Sequence, residues 1–266
     1  MSAIDLHFNI VGEQSANPDI IILHGLFGMG KNWAPVAQAL AGKYRILTVD
    51  LRNHGESPWT KNMTYPLMAD DIAKLINSEC SKPPIVIGHS MGGKVAMVFA
   101  LKNPDKLVKL AVVDIAPVPY SHNYQNYLSA MMSLDISTVC RRSEAERALV
   151  EKLQDVNLVR FLLHNLRRGP DAGFFWQLNL SGLARNMDDL ADFPGFDSDK
   201  VYQGNALFLT GANSDYVHAG HHAKIASLFK QPTFAIIEGA GHWVHTEQQN
   251  ETIDQLHKFI RGNHQG

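Results

Sequence analysis

This chain of 266 residues has few cysteines, nearly balanced charge and no long apolar run. The two cysteines, Cys80 and Cys140, stand far apart and lack the close spacing of a metal site or a redox pair, so we interpret them as free thiols. A formal net charge of -2 gives no electrostatic footprint for nucleic acid or for an anionic membrane. We therefore expect no nucleic-acid partner.

The segments that direct a chain into a membrane or across it are also missing from the sequence. The first residues, MSAIDLHF, contain no basic stretch followed by a long apolar one, and no run approaches the roughly eighteen apolar residues of a membrane span. These absences predict a cytoplasmic protein without membrane insertion. A hydrophobic content of 45% is enough for one large domain with a substantial core.

Six short apolar runs, most of them followed by a helical segment, organise the chain. They are residues 20–23, 44–49, 84–87, 110–113, 206–210 and 233–237. Buried runs that alternate with helices predict an α/β fold with a mostly parallel central sheet and helices on both faces. Functional side chains should then follow the strands, at the carboxyl edge of the sheet.

The alternation stops between residues 117 and 194, where the pattern is mostly helical and contains no obvious buried strand. A capping box at residues 143–146 opens one helix, and residues 156–166 carry apolar side chains at helical spacing. We predict a core formed by residues 1–116 and 195–266, with residues 117–194 inserted as a helical cap. Caps at this edge of a sheet exclude water and shape the substrate pocket.

The sequence GHSMG at residues 88–92 lies between an apolar run and a helical segment. Glycines two positions before and after Ser90 allow a strand and a helix to approach each other at a sharp corner. A serine at such a corner is held exposed in a strained conformation, with the next backbone amide beside it. We interpret Ser90 as a nucleophile. The alternative is a glycine-rich turn that carries an incidental serine.

A serine nucleophile needs a general base, and the candidate is a histidine on a later loop. His242, in EGAGHW at residues 238–243, follows the last apolar run and precedes the final helical segment. This is the position expected when a serine, an acid and a histidine follow one another along the chain. His245 is the alternative base.

Two carboxylates are candidates for orienting the histidine. Asp114 ends the run at residues 110–113, where a carboxylate in apolar surroundings is costly unless it is paired. Asp215 lies in GANSD, one residue beyond the acid position of a Gly-x-x-Asp loop, and Ser214 occupies that position. We favour Asp114 and keep Asp215 as the alternative acid.

An acyl-transfer transition state also requires backbone amides for its developing oxyanion. The amide of Met91, directly after the serine, is the first candidate. The loop HGLFG at residues 24–28 follows the first apolar run, and we expect the second amide from Leu26, with Phe27 as the alternative.

Aromatic and small residues near these loops and in the cap are candidates for contact with a substrate. We predict substrate contacts from His24, Gly25, Phe27, Phe174, Trp176 and Trp243. The two cap aromatics could equally form the cap's own core. Arg167 and Arg168 could meet an anionic part of a substrate or remain solvated surface residues.

Other patterns suggest different chemistry, and each lacks a required feature. The sequences at residues 25–32 and 88–95 resemble a phosphate-binding loop, but their last residues have no hydroxyl to hold magnesium. His218, His221 and His222 lie close together without an acidic or cysteine partner at suitable spacing. We expect no metal and no cofactor.

Five segments together resemble the α/β-hydrolases, and within them the YbfF-type bacterial esterases and their eukaryotic abhydrolase relatives. The segments are HGLFG at 24–28, DLRNHGESP at 50–58, GHSMGGK at 88–94, VDIAP at 113–117 and GAGHWVH at 239–245. The first and third occur across a broad superfamily, whereas VDIAP combined with GAGHWVH is more specific to this branch. The resemblance implies the α/β-hydrolase fold, with Asn53 and His54 as structural supports near the pocket.

A function also follows from this resemblance, as an expectation. It implies a hydrolase of small-molecule carboxylic esters or acyl thioesters that uses Ser90, Asp114 and His242 and passes through an acyl-enzyme. A serine matching Ser214 is expected close to these three residues, and Asp215 departs from the family's pattern.

Two other functions are compatible with the same motifs. A carbon–carbon bond hydrolase or lyase would use the same three residues, because this fold supports many chemistries. A ligand receptor built on a hydrolase scaffold is the non-enzymatic alternative. The acyl chain, the leaving group and the oligomeric state leave no pattern in the sequence.

Overall fold

The computed structural model describes residues 2–121, 124–171, 173–197 and 200–262. The strands are β1 (Phe8–Val11), β2 (Ile20–Leu23), β3 (Ile46–Val49), β4 (Ile85–His89), β5 (Lys109–Val113), β6 (Leu166–Arg168), β7 (Phe174–Trp176), β8 (Tyr202–Gly211) and β9 (Phe229–Ile237). The helices are α1 (Ala34–Leu40), α2 (Tyr65–Glu79), α3 (Met91–Lys102), α4 (Tyr124–Met132), α5 (Arg142–Leu153), α6 (Val156–Leu163), α7 (Leu180–Arg185), α8 (Met187–Ala191), α9 (Ala219–Leu228), α10 (Val244–Glu247) and α11 (Gln249–Arg261). In these ranges, no helix combines the length and the apolar composition needed to cross a lipid bilayer.

Seven of the strands form one sheet in the order β1-β3-β2-β4-β5-β8-β9. β1 runs antiparallel to β3, and the other neighbouring strands pair in parallel. The predicted α/β class is therefore confirmed. β1 was not predicted, because its four residues at the sheet edge are partly exposed and form no continuous apolar run.

Helices cover both faces of the sheet, as the alternating pattern predicted. In β2, Ile21 and Leu23 pack into an apolar layer with side chains of α2 and α3. Ile20 and Ile22 point to the opposite layer, which α1 and α11 cover. Because successive strand residues point to opposite faces, a strand buried on both sides must be apolar throughout.

The segment between β5 and β8 contains helices α4 to α8 and a small antiparallel hairpin, β6–β7. The sequence showed no obvious buried strand in this segment, and the two strands of the hairpin are short and only partly buried. Leu166 and Trp176 pair at one end of the hairpin and are buried, whereas Phe175 is exposed. β6 contains two arginines and β7 has only three residues, so neither forms an apolar run long enough to predict a strand.

The loop after β3 approaches the carboxyl edge of the sheet and is fastened to α2 by a buried ion pair. Arg52 Nε lies 2.7 Å from Asp71 Oδ2, and its Nη2 lies 2.8 Å from Oδ1. The side chains are 3% and 1% exposed. The Arg52 guanidinium also donates to the Asn62 carbonyl oxygen at 2.8 Å. This pairing fixes the loop that carries Asn53 and His54.

We expect Asp71→Ala to lower the free energy of unfolding by about 3–5 kcal/mol, because it leaves the buried Arg52 charge without its partner. Urea denaturation at neutral pH measures this loss.

The matched control is Asp70→Ala, one residue away on α2. Asp70 pairs with Lys102 at the surface, where the two side chains are 47% and 33% exposed. The control should therefore lower the free energy of unfolding by less than about 1 kcal/mol. Equal losses in the two variants would contradict the importance that we assign to the buried pair.

Candidate active site

Ser90 lies at the corner between β4 and α3, and its φ of 52° is in the left-handed region. The neighbouring glycines make this corner possible. A Cβ on Gly92 would lie 2.5 Å from the carbonyl oxygens of Leu23 and His24, and a Cβ on Gly88 would lie 2.2 Å from the Gly92 oxygen. Any larger residue at these two positions would force the strand and the helix apart.

A hydrogen-bonded line connects Ser90 to a histidine and a carboxylate. His242 Nε2 lies 3.0 Å from Ser90 Oγ, and His242 Nδ1 lies 2.7 Å from Asp114 Oδ2. Asp114 follows the end of β5 with a φ of 53° and is fully buried. Three residues that the sequence singled out as candidates are therefore in mutual contact.

The Asp114 carboxylate accepts three further hydrogen bonds. Thr210 Oγ1 donates to Oδ1 at 2.5 Å, the Gly211 amide donates to the same oxygen at 3.2 Å, and Ser214 Oγ donates to Oδ2 at 2.5 Å. An ionised carboxylate only accepts, so His242 carries its proton on Nδ1 and offers the Nε2 lone pair to Ser90. The alternative acid, Asp215, is exposed and does not take part in this network.

Two other buried histidines, His89 and His245, lie near the loop that carries His242. His89 Nε2 donates to the His242 carbonyl oxygen at 2.9 Å. Burial lowers the pKa of His89 well below its usual value, so this imidazole stays neutral. His245, the alternative base, stacks on Trp33 at a ring distance of 4.2 Å. Burial lowers its pKa to about 3, and in the described structure its Nδ1 has no partner.

The two amides expected to stabilise an oxyanion, those of Met91 and Leu26, have no acceptor among the residues that the structure describes. Met91 is the first residue of α3, where amides have no intrahelical acceptor. The Phe27 amide, the alternative donor, is already bound to His54 Nε2 at 3.3 Å. Of the two candidates in the loop at residues 24–28, Leu26 is therefore the one whose amide has no acceptor in the described structure.

His24 and His54 support this loop as neutral imidazoles. His24 Nδ1 donates to the Gly25 oxygen at 2.8 Å, and its Nε2 accepts from the Leu51 amide at 3.0 Å. His54 Nδ1 donates to the Arg52 oxygen at 3.0 Å. Burial lowers the pKa of both imidazoles, for His54 to about 3.

A cavity of about 200 Å³ opens beside Ser90. Four of the predicted substrate contacts line it, namely His24, Gly25, Phe27 and Trp243. Three tyrosines that the sequence did not single out, Tyr124, Tyr127 and Tyr216, also line it. Tyr216 stacks on the His242 ring at 3.9 Å, and its hydroxyl lies 2.5 Å from that of Tyr124 in α4. No motif or spacing marks these tyrosines.

The other two predicted substrate contacts do not line the cavity. Phe174 packs beneath Arg168, whose guanidinium carbon lies 5.2 Å from the ring centre. Trp176 is buried in the apolar layer that contains α2 and α3. Both residues belong to β7 of the β6–β7 hairpin.

An outer groove of about 1190 Å³ adjoins this cavity, and Phe161, Trp243 and His245 line both. Its charged lining residues are Lys31, Arg142, Asp155, Arg160, Arg167 and Glu247. Asp155 accepts from the Leu158 amide, and Glu247 accepts from the amides of Gly241 and Trp243. Arg167 lines the groove and Arg168 does not.

The three histidines considered as a metal site have other neighbours. His218 accepts from the Gly220 amide at the start of α9, and its ring lies 3.8 Å from that of His221. His222 stacks on Phe234 at 4.1 Å.

Known proteins resemble this chain over nearly its whole length. A family model described as alpha/beta hydrolase fold matches residues 18–249. The mouse protein named sn-1-specific diacylglycerol lipase ABHD11 is 37% identical over 97% of this chain and 85% of its own length. Esterase YbfF of Escherichia coli strain K12 is 31% identical over 93% of this chain and 94% of its own length.

Among solved structures, a marine microorganism esterase is 35% identical and superposes with a TM-score of 0.93. The match covers 97% of this chain and 100% of that one. The relatives therefore share the whole fold rather than a single motif.

Buried neutral histidines make stability depend on pH. The pKa of His245 is lowered to about 3 in the folded protein, whereas the unfolded chain binds the proton near its ordinary pKa of about 6.5. Acidification from about pH 6.5 towards pH 3 thus favours the unfolded state. We expect His245→Phe to retain the stacking on Trp33. Between pH 7 and pH 5, its free energy of unfolding should fall by about 2 kcal/mol less than that of the wild type.

Urea denaturation at the two pH values measures this difference. His222→Phe is the matched control, because His222 is exposed on α9 and keeps its contact with water in both states. Its pH dependence should equal that of the wild type. An unchanged pH dependence in His245→Phe would contradict the neutral buried state of His245.

Proposed function

Since this chain belongs to the α/β-hydrolase fold family and is a hydrolase of the esterase and lipase type, we propose that it cleaves carboxylic esters and acyl thioesters by acyl transfer to Ser90. The observation that carries the proposal is the line of hydrogen bonds from Asp114 through His242 to Ser90. It ends beside two backbone amides that have no acceptor in the described part of the chain.

In the first step, Ser90 Oγ forms a bond to the carbonyl carbon while His242 Nε2 takes the hydroxyl proton. The negative charge that develops on the carbonyl oxygen is stabilised by the amides of Met91 and Leu26. Asp114 stabilises the protonated imidazole and keeps its orientation. When the tetrahedral intermediate collapses, His242 gives its proton to the departing alcohol or thiol.

In the second step, water attacks the acyl-enzyme. His242 takes a proton from the water, the same two amides stabilise the new oxyanion, and collapse releases the carboxylic acid and restores Ser90. In this proposal, Ser214 acts through the carboxylate. Its hydroxyl donates to the oxygen of Asp114 that also receives His242 Nδ1–H, and so helps to keep that oxygen in place.

The insertion supports the proposal as a cap over the reacting groups. We propose residues 117–194 as this cap, set into a core of residues 1–116 and 195–266. Tyr124, Tyr127 and Phe161 from the insertion line the cavity beside Ser90 and limit the access of water to it.

Small-molecule esters are the substrate class that the relatives' names, esterase and lipase, support. The thioester part of the proposal is supported by the outer groove, which is large enough for a bulky leaving group. Its lining contains four cationic residues, Lys31, Arg142, Arg160 and Arg167, and two acidic ones, Asp155 and Glu247, whose carboxylates accept backbone amides. Arg160 is paired with Glu146 at 2.9 Å, whereas the other three cations have no ion pair in the described part of the chain. This lining suits a leaving group that carries negative charge, such as coenzyme A.

Hydrolysis of p-nitrophenyl esters of graded acyl length tests the reacting residues. We expect Ser90→Ala to lower kcat by at least about 10⁴-fold, because the nucleophile is lost. Asp114→Asn should lower it by about 10³- to 10⁴-fold, because an amide does not hold the imidazole in the required tautomer.

The matched control is Asp215→Asn, which should stay within about twofold of the wild type, since Asp215 is exposed and apart from the network. A strong loss in this variant would restore the alternative acid. The receptor function would be favoured by two results together. The wild type would show no Ser90-dependent ester turnover, and Ser90 would not react with a fluorophosphonate probe. A serine that reacts with the probe without ester turnover would favour carbon–carbon bond cleavage.

The thioester proposal predicts that Arg167→Gln raises KM for a medium-chain acyl-coenzyme A about fivefold, the effect of one partly exposed charge interaction. KM for the p-nitrophenyl ester of the same acyl chain should stay unchanged. Steady-state kinetics on both substrates give the comparison.

Arg168→Gln is the matched control, because Arg168 is the next residue of the hairpin and does not line the groove. It should leave both KM values unchanged. If Arg167→Gln and Arg168→Gln had the same effect, the groove would have no specific role in binding the leaving group.

A further inference from the structure

The Phe27 peptide groups are held from two sides by residues distant in sequence. The Phe27 amide donates to His54 Nε2 at 3.3 Å, and the Phe27 carbonyl oxygen accepts from Asn165 Nδ2 at 2.7 Å. Phe27 has a φ of 62°, a left-handed conformation that is costly for a residue with a side chain. Such a conformation persists only where the surroundings hold it in place.

Asn165 is itself fixed by its backbone. It directly precedes β6 and is fully buried. Its amide donates to the Leu162 oxygen at 3.1 Å at the end of α6, and its carbonyl oxygen accepts from the Gln177 amide at 2.9 Å, just after β7. The hydrogen bond from its side chain to Phe27 therefore connects a well-anchored point of the cap to the loop at residues 24–28.

This loop supplies the Leu26 amide. The Gly28 amide donates to the Gly25 oxygen at 3.0 Å, which closes a tight turn with Leu26 and Phe27 at its centre. The Leu26 N–H lies in the same rigid peptide plane as the Gly25 carbonyl, so the turn that holds this oxygen also fixes the direction of the N–H. Phe27 must keep its left-handed conformation for the turn to close. Amides that stabilise an oxyanion must already point at it before the charge develops.

We propose that Asn165 is a positioning residue for the oxyanion hole, so that the hole is complete only when the cap is docked on the core. This inference rests on the proposed function, because it requires an oxyanion formed by attack of Ser90. It assigns to the cap a role in the chemical step in addition to its role as a wall of the pocket. His54 holds the same turn from the core side.

The test compares Asn165→Ala and Asn165→Leu with the wild type on a short-chain p-nitrophenyl ester. Both variants remove the donor to Phe27, and leucine keeps the branched shape of the side chain without burying a charge. We expect kcat to fall about 10- to 100-fold and KM to stay within about threefold, because the loss concerns the transition state. The affinity for a trifluoromethyl ketone, whose adduct with Ser90 carries an oxyanion, should fall in parallel with kcat.

Asn186→Ala is the matched control for a general weakening of the cap. Asn186 is also a buried asparagine of the insertion, and its Nδ2 donates to the oxygens of Lys61 and Gly182 at 3.0 and 2.7 Å. Its Oδ1 accepts from the Met63 amide at 2.9 Å, so it joins the insertion to the core far from Phe27 in sequence. This variant should lower Tm and leave kcat and the ketone affinity within about threefold.

Unchanged kcat and ketone affinity in folded Asn165→Ala would overturn the inference, and so would an equal loss of kcat in Asn186→Ala. If Asn165→Ala does not fold, Asn165→Leu decides by the same two measurements. If the wild type and Ser90→Ala had the same turnover, the proposed function itself would be overturned. This comparison therefore separates failure of the proposed function from failure of the Asn165 inference alone.

Discussion

The structure around the site depends on one close backbone contact, between the start of α3 and the end of β2. Gly92 lies so near the carbonyl oxygens of Leu23 and His24 that even a methyl group would not fit. This contact brings the amide that follows Ser90 next to the loop that contains Leu26. Without it, the two free amides would belong to separate parts of the surface rather than to one site.

Around this contact, imidazoles rather than apolar side chains connect the loops. A neutral imidazole has one donor and one acceptor, so it can join an N–H group of one segment to a carbonyl of another. His24 and His54 both do this, and each accepts a backbone amide on Nε2. A protonated ring would turn that acceptor into a donor that faces another donor. Burial, which keeps these rings neutral, is therefore part of how the loops are held together.

Local patterns in the sequence were sufficient for most of the fold and for part of the site. The apolar runs predicted the parallel strands, and the glycines around Ser90 indicated the corner. β1 and the β6–β7 hairpin were missed because their short strands are only partly buried. The contact of Asn165 with Phe27 leaves no local trace, since the two residues are 138 positions apart. Similarly, the sequence alone did not decide whether Asp114 or Asp215 orients His242. Asp215 lies only one residue beyond the expected acid position, and whether its carboxylate reaches the histidine depends on how the chain turns after β8.

Asp114 lies at the end of β5, whereas the wall of the pocket formed by Tyr216 lies in the turn after β8. In the proposed enzyme, the group that orients the histidine and the group that borders the substrate are thus encoded in different segments. The turn nevertheless also holds the reacting groups, because Ser214 donates to the Asp114 carboxylate and Tyr216 stacks on His242. An exchange in this turn that reshaped the pocket would therefore also disturb the acid and the base. Cap residues that border the cavity, such as Tyr127 and Phe161, lie outside the turn, so selection for a new substrate can act on them while the turn stays unchanged.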